Sequence, residues 1–172
     1  VYIDDNLNDE YVKTRKQSID LLLKKNINLS SIESILDWGG DNGIYIPEYF
    51  LNAKKYVYEL SEVELLPAVE KYDKKENKKF DLILCCHVLE HVSSPYMLMQ
   101  EIKQCMHENS WLYIEVPNFD IPSKPITAFG EHVNRWGLES MKRFLIRSNF
   151  EILDSNIYND CLCVLIKIKE KE

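Results

Sequence analysis

The segment FDLILCC, Phe80–Cys86, constrains the fold of this chain more than any other stretch. Its residues are apolar apart from one aspartate, and a strand that is apolar on both faces is typical of a parallel sheet covered on both sides. Stretches with helical spacing of apolar residues alternate with similar apolar strands over most of the chain. This alternation predicts an α/β fold, a Rossmann-like and mostly parallel sheet with helices on both faces.

The remaining elements follow from the same periodicities. Apolar residues at helical spacing predict a leading helix over about residues 11–25, and SILDW, Ser34–Trp38, is the first strand. We also expect a helix from Ile44 to Leu51, because Pro47 lies early enough to be tolerated in a first turn. The later predicted elements are strands at Lys55–Leu60, within PAVEKY (67–72) and at 111–117, helices at 95–106 and 137–150, and a closing hairpin of strands at 150–155 and 161–168.

Length and composition favour one domain over residues 1–172. The chain has no internal repeat and no Pro/Gly-rich linker, and its net charge of −7 argues against nucleic acid as a partner. No apolar run approaches the ~20 residues of a membrane span, so we expect no membrane partner. The 5 cysteines form no C-x-x-C pair and lie mostly in apolar strands, which favours reduced thiols and a cytoplasmic location.

The loop after the first strand, in ILDWGGDNG (Ile35–Gly43), carries three of the 5 glycines of the chain. Its G-G-x-x-G spacing differs from the dinucleotide fingerprint, and no Gly-Lys-Ser/Thr follows as in a P-loop. An acid, Asp37, precedes the loop, and a second acid, Glu59, ends the next strand, where a carboxylate can accept ribose hydroxyls. The pair favours a nucleoside ligand, with Asp37 anchoring the loop or meeting an ammonium group. The alternative is a tight turn with a solvated Glu59.

The ordered set ILDWGGDNG, YVYELSE, FDLILCCHVLEHVSSP, WLYIEVPN and GLESMKRFLIRSNFEIL resembles a class I S-adenosylmethionine-dependent methyltransferase. It is most similar to the small-molecule group with a VLEH turn after the fourth strand. The resemblance spans Ile35 to about Leu153 and implies a seven-stranded sheet with an antiparallel C-terminal hairpin. It implies S-adenosylmethionine as cofactor and S-adenosylhomocysteine as product. The cofactor-binding residues that we expect are Asp37, Gly39, Gly40, Asp41, Gly43, Glu59, Leu60 and Cys86.

The resemblance also divides the chain by role. Residues 34–117 become the cofactor-binding core, residues 118–136 the acceptor loop, and residues 137–168 the C-terminal helix and hairpin. Asp41 stands where the family loop D-x-G-x-G-x-G has its middle glycine; it tolerates turn conformations and could meet the methionine ammonium or cap the following helix. The aspartate at this position also indicates an alternative to an active enzyme, namely a catalytically impaired binding or partner subunit. The glycine spacing disfavours a nicotinamide-dependent reductase.

Three histidines are candidate catalytic residues. His132 lies in the irregular acceptor segment and titrates near neutral pH, so it is our preferred general base, with a surface-loop histidine as the alternative. His87 and His91 flank the turn HVLEH. This turn matches the H-x-x-E-H of inverted zinc peptidases, but Pro95 follows too soon for the long helix of that site. We expect no bound metal, and the alternative is a divalent ion on His87, Glu90 and His91.

The acceptor is expected to be a small molecule. An acidic surface and a small insertion favour a small polar compound, such as a sugar or a phosphorylated metabolite, methylated on oxygen. Arg135 could then bind a phosphate or carboxylate of the acceptor.

Overall fold

The computed structural model of the chain describes residues 5–121 and 132–170, with side chains from residue 10 onward. Its strands build a single sheet of seven in the order β3-β2-β1-β4-β5-β7-β6. The strands are β1 (Ser34–Trp38), β2 (Lys54–Tyr58), β3 (Val69–Lys71), β4 (Phe80–Cys86), β5 (Met106–Pro117), β6 (Phe150–Tyr158) and β7 (Cys161–Ile168). Strands β1 to β5 pair in parallel, whereas β7 pairs antiparallel with both β5 and β6. The predicted mostly parallel sheet with an antiparallel C-terminal hairpin is confirmed.

Three α-helices accompany the sheet in the described residues. They are α1 (Asp5–Asn26), α2 (Pro95–Gln104) and α3 (Leu138–Arg147), and short 3-10 helices lie at Leu29–Ser31 and Lys74–Glu76. The predicted bounds of β1, β4 and β7 agree with the structure to the residue, because each is a mostly apolar run with polar or turn-forming neighbours. Strand β5 begins earlier than predicted, since the polar segment ahead of Trp111 also continues the strand.

The helix expected from Ile44 to Leu51 is wrong. This stretch is a series of turns, with the amide of Ile46 donating to Gly43 O and that of Phe50 donating to Pro47 O. A proline disfavours helical geometry in the residue before it and supplies no amide of its own, so Pro47 stops a helix that would begin at Ile44. Ile46 and Phe50 are nevertheless buried against the α1 side of the sheet.

The sheet separates two apolar cores. Helix α1 packs on one face with the turns after β1, while α2 and α3 pack on the other. Side chains alternate along a strand, so Leu36 and Trp38 belong to the α2 side, whereas Ile35 belongs to the α1 side. Asp37, between Leu36 and Trp38, therefore directs its carboxyl group toward the face that carries α1.

The two ends of the predicted acceptor loop meet at the carboxyl ends of the strands. Asn118 and Trp136 form an isolated β-bridge, and the amide of Phe119 donates to Trp136 O at 2.9 Å. Asp120 then accepts the amide of Leu138 at the start of α3 (2.7 Å). Residues 122–131 of this loop lie outside the described residues. Within the described ranges, no helix has both the length and the apolar character that crossing a membrane requires.

Candidate functional site

The glycine loop turns sharply over the ends of β1 and β2. Gly39 and Gly43 have φ of +70° and +86°, which side chains rarely tolerate. A Cβ at Gly39 would lie 2.6 Å from a methyl group of Val88, and one at Gly43 would lie 3.0 Å from Val69. The Gly39 amide donates to Tyr58 O at 2.8 Å. These glycines are therefore required by the backbone and by close packing of the loop.

Asp37 lies fully buried beneath this loop. A Cβ at Gly40 would lie 2.1 Å from the Asp37 carboxyl carbon, so only glycine leaves room for that carboxyl group. Burial raises the pKa of Asp37 to about 7, even though Arg15 acts in the opposite direction. Oδ2 of Asp37 has no hydrogen-bond partner in the described part of the chain. A buried carboxylate oxygen in this state is suited to a cationic ligand.

Arg15 of α1 is a candidate site residue that the sequence analysis did not identify. It is buried, its guanidinium carbon lies 4.6 Å from the ring centre of Tyr45, and its Nη2 has no hydrogen-bond partner among the described residues. The guanidinium is also close enough to lower the pKa of Asp37. One signal was present in the sequence: Arg15 interrupts the apolar stripe of the helix between Tyr11 and Ile19. The structure thus places a carboxylate oxygen and a guanidinium nitrogen, both without partners, on the same face of the sheet.

Glu59 directly follows β2, which ends at Tyr58 rather than at the predicted Leu60, and Glu59 holds the loop that it faces. Its Oε1 accepts the amides of Leu60 and Ser61 at 2.7 and 3.1 Å, and its Oε2 accepts the amide of Asp41 at 3.4 Å. Although partial burial acts to raise the pKa of Glu59, these donors bring it below its usual value. The carboxylate is therefore ionised and oriented, which is the state in which it can accept hydroxyl groups.

Asp41 is exposed, with a φ of +53°. Its predicted alternative role as a helix cap is wrong, because turns rather than a helix follow the loop. Its amide, not its carboxylate, makes the described contact with Glu59. An aspartate adopts this left-handed geometry more readily than most residues, so the loop keeps a glycine-like turn without the family glycine.

A cavity of about 530 Å³ opens beside the loop on the α2 face. Gly39, Glu59 and Leu60 line it together with apolar and aromatic side chains. The other lining residues are Trp38, Tyr58, Lys74, Val88, Val92, Ser93, Ser94, Met97, Leu98 and Glu101. A mostly apolar cleft with a few polar groups is typical of a site for a nucleoside-sized ligand. Leu60 is 85% exposed at its rim.

The second group of predicted residues surrounds the buried carboxyl group of Glu90. His87 Nδ1 lies 3.1 Å and His91 Nε2 3.9 Å from Glu90 Oε1, and the His91 and His132 ring centres are 4.8 Å apart. Burial raises the pKa of Glu90, and the nearby imidazoles of His91 and His132 oppose that rise. All three predicted catalytic histidines are thus brought together, although His132 comes from a distant part of the chain.

His87 occupies a more constrained position than the other two histidines. Its φ is +56°, its amide donates to Glu115 O at 2.8 Å, and its Nε2 lies 3.1 Å from Glu115 Oε1. Glu90 faces its other ring nitrogen. Each ring nitrogen of His87 therefore faces a buried carboxyl group.

Asn134 connects the acceptor segment to the HVLEH turn and was not predicted. Its amide donates to Glu90 O at 3.0 Å, and its side-chain Nδ2 donates to Leu89 O and Val92 O at 3.1 and 2.6 Å. No periodicity or motif in the sequence signals such a role. The neighbouring Arg135 is exposed, with its guanidinium carbon 5.6 Å from the Phe119 ring centre.

The residues present fit the group that binds in a class I methyltransferase. Glu59 and Leu60 would hold its nucleoside, and the unpartnered oxygen of Asp37 and nitrogen of Arg15 match the ammonium and carboxylate of its methionine end. Cys86 ends β4 next to them as a neutral thiol, because burial holds its pKa well above the usual range. Two described groups have ligand atoms close enough for a metal ion: Glu90, His91 and His132, and His87, Glu115 and Cys161.

Comparison with known proteins agrees with this geometry. Residues 10–155 match the family model described as a methyltransferase domain. A curated relative, the mitochondrial ubiquinone biosynthesis O-methyltransferase of Candida albicans, is 29% identical over 101 residues. That match covers 56% of this chain and 28% of the relative, so the chain spans little more than a quarter of the relative's length.

Solved methyltransferases share the fold at low identity. An O-methyltransferase family protein of Burkholderia thailandensis has a TM-score of 0.68 at 11% identity, over 98% of this chain and 60% of that chain. The 1,6-didemethyltoxoflavin N1-methyltransferase of the same organism, solved with S-adenosylhomocysteine, has a TM-score of 0.73 at 15% identity, over 96% and 84%. From the sheet order, the loop geometry and the family match, we conclude that this chain belongs to the class I S-adenosylmethionine-dependent methyltransferases.

Proposed function

We propose that the chain methylates a hydroxyl oxygen of a small polar acceptor, with S-adenosylmethionine as the methyl donor. The observation that carries the proposal is the pair of unpartnered buried atoms, Asp37 Oδ2 and Arg15 Nη2, behind the glycine loop. Two buried groups of opposite charge, each with one atom that has no hydrogen-bond partner among the described residues, are suited to an amino-acid zwitterion. The cofactor, when bound, supplies a sulfonium methyl group whose transfer needs no further activation.

The chain itself must orient the acceptor and remove the hydroxyl proton. In this proposal His132 is the general base, because it reaches the carboxyl ends of the strands from the acceptor segment and lies against His91. Glu90 lies behind both rings and is able to stabilise an imidazolium after proton transfer. His87 is less suited to this role, since both of its ring nitrogens already face carboxyl groups.

Two findings support oxygen as the methylated atom and a compact acceptor. The curated relative is named an O-methyltransferase, and a histidine cluster is suited to deprotonating a hydroxyl. Exposed Arg135 would bind a phosphate or carboxylate on the acceptor. The net charge of −7 also favours a small acceptor over a polyanion.

The test is a methyl-transfer assay that measures S-adenosylhomocysteine formation with a panel of sugars, sugar phosphates, hydroxylated aromatic acids and matched amines. We expect turnover with hydroxyl acceptors and none with the matched amines. Turnover confined to amines would overturn the assignment of oxygen.

A second candidate is a methyltransferase-like binding or partner subunit without turnover. Asp41 in the loop and the turns that replace the following helix favour it. Cofactor binding with no S-adenosylhomocysteine formed across the whole panel would favour this candidate over the enzyme.

A further inference from the structure

Glu115, near the end of β5, is the most densely hydrogen-bonded carboxylate among the described residues. It is 1% exposed. Its Oε1 accepts from Arg15 Nε at 3.3 Å and lies 3.1 Å from His87 Nε2. Its Oε2 accepts from the Ser18 hydroxyl, from Tyr113 OH at 2.7 Å and from Cys163 Sγ at 3.7 Å. Five side chains, from α1, β5, β7 and the turn after β4, thus converge on a single buried charge.

His87 links Glu115 to the histidine cluster, but neither that cluster nor the glycine loop accounts for the pairing of Glu115 with Arg15. Arg15 and Glu115 are 100 residues apart in sequence, and an arginine is rarely buried without a charged partner. Glu115 engages only the Nε edge of the guanidinium, and Nη2 remains without a partner in the described part of the chain. Because the guanidinium is planar, fixing one edge fixes the direction of the other.

We infer that Glu115 is a positioning residue, which orients Arg15 so that its Nη2 faces the methionine end of the cofactor; the inference rests on the proposed function. Ser18 and Tyr113 hold the opposite oxygen of the carboxylate, so Glu115 cannot rotate to follow the arginine. Without this charge, Arg15 would keep its burial between Tyr11 and Tyr45 but lose its direction.

Two related ligands distinguish a positioning role of Glu115 from a role in fold stability alone. S-Adenosylhomocysteine carries the amino-acid end, whereas 5′-methylthioadenosine is the same nucleoside thioether without it. The ratio of their dissociation constants, measured by calorimetry, reports how much the amino-acid end alone contributes to binding. Loss of a residue that only stabilises the fold would weaken the binding of both ligands to the same extent.

For Glu115→Gln, the preference for S-adenosylhomocysteine is expected to fall about tenfold or more, the scale of a hydrogen bond to a charged group, while the affinity for 5′-methylthioadenosine stays within about threefold. Glu115→Asp keeps the charge but withdraws it from Arg15, so the preference falls in the same direction. If Glu115→Gln does not fold, the ligand preference of Glu115→Asp is the measurement that tests the inference.

The matched control is Asp81→Asn at the opposite end of the sheet. Asp81, like Glu115, accepts several hydrogen bonds and pairs with a histidine: it accepts two backbone amides, at 2.8 and 3.0 Å, and lies 3.0 Å from His107 Nε2. Its loss is expected to change thermal stability but not the ligand preference.

An unchanged preference in a folded Glu115 variant, or an equal loss of both ligands, would overturn this inference alone. A wild-type protein that binds neither ligand would overturn the proposed function and this inference with it.

Discussion

Asp37 is the residue at which the proposed cofactor site has the clearest consequence for stability. Its carboxyl group has a pKa of about 7 instead of the usual 3.8 because it is buried, so the folded protein binds a proton more tightly than the unfolded chain. The stability that this group contributes is complete below its unfolded pKa and is lost as the pH rises through 7. At neutral and higher pH, the ionised and buried carboxyl group of Asp37 therefore destabilises the ligand-free folded state.

Replacing Asp37 by asparagine should separate these two effects. At pH 8, Asp37→Asn is expected to raise the free energy of unfolding by about 1–4 kcal/mol, because the buried charge is removed. At pH 4 the two proteins should be equally stable, and at pH 8 the variant should bind S-adenosylhomocysteine at least about tenfold more weakly. Urea titration at both pH values and calorimetry measure these quantities. A variant that is less stable at pH 8 and binds normally would contradict the assignment.

Glu59 tests the nucleoside end of the site. Glu59→Ala should weaken S-adenosylhomocysteine binding by ~1.5–3 kcal/mol, through the loss of charged hydrogen bonds to the ribose. Glu62→Ala removes an exposed acid three residues away and should leave the affinity unchanged. Equal affinities in all three proteins would refute the ribose assignment.

The histidines can be ranked by single substitutions once an acceptor is known. His132→Ala should lower turnover by ~10²–10⁴-fold, the usual contribution of a general base, and leave cofactor affinity intact. His107→Ala, in the pair with Asp81, is the control and should retain turnover. If His132→Ala stays near normal while His87→Ala or His91→Ala abolishes turnover, the base lies in HVLEH instead.

At the scale of elements, the glycine loop is the feature in which this chain departs from its family. Asp41 has a left-handed backbone and binds Glu59 through its amide, so the side chain is not needed for the turn. Asp41→Gly is therefore expected to change S-adenosylhomocysteine affinity by less than about threefold, since only a small conformational preference is altered. Calorimetry would measure this, and a large gain in affinity would show that the natural loop is impaired.

Elements differed in how far the sequence predicted them. Strands such as β4 and β7 are almost wholly apolar and are buried in a sheet that is covered on both faces, so their bounds followed directly. The stretch from Ile44 to Leu51 has a similar apolar content, but Pro47 and the packing of Phe50 override its helical spacing. Local periodicity does not register such tertiary constraints.

In the whole molecule, the candidate site residues fall into two groups: those at the ends of neighbouring strands, and those whose partners lie in distant elements. Asp37, the glycines and Glu59 were predictable because strand ends of a parallel sheet converge on one edge. Arg15 and Asn134 were not, because their partners lie in other elements and no motif records them. The burial of Arg15 and the hydrogen bonds from Asn134 to the HVLEH turn therefore emerged only from the fold.

The central claim is that the carboxyl ends of β1, β2 and β4 form an S-adenosylmethionine site. The most direct measurement is a calorimetric titration of the wild-type protein with S-adenosylhomocysteine and, separately, with NAD. We expect one-to-one binding of S-adenosylhomocysteine and no heat of binding with NAD. Binding of NAD, or no binding of S-adenosylhomocysteine by the folded protein, would contradict it.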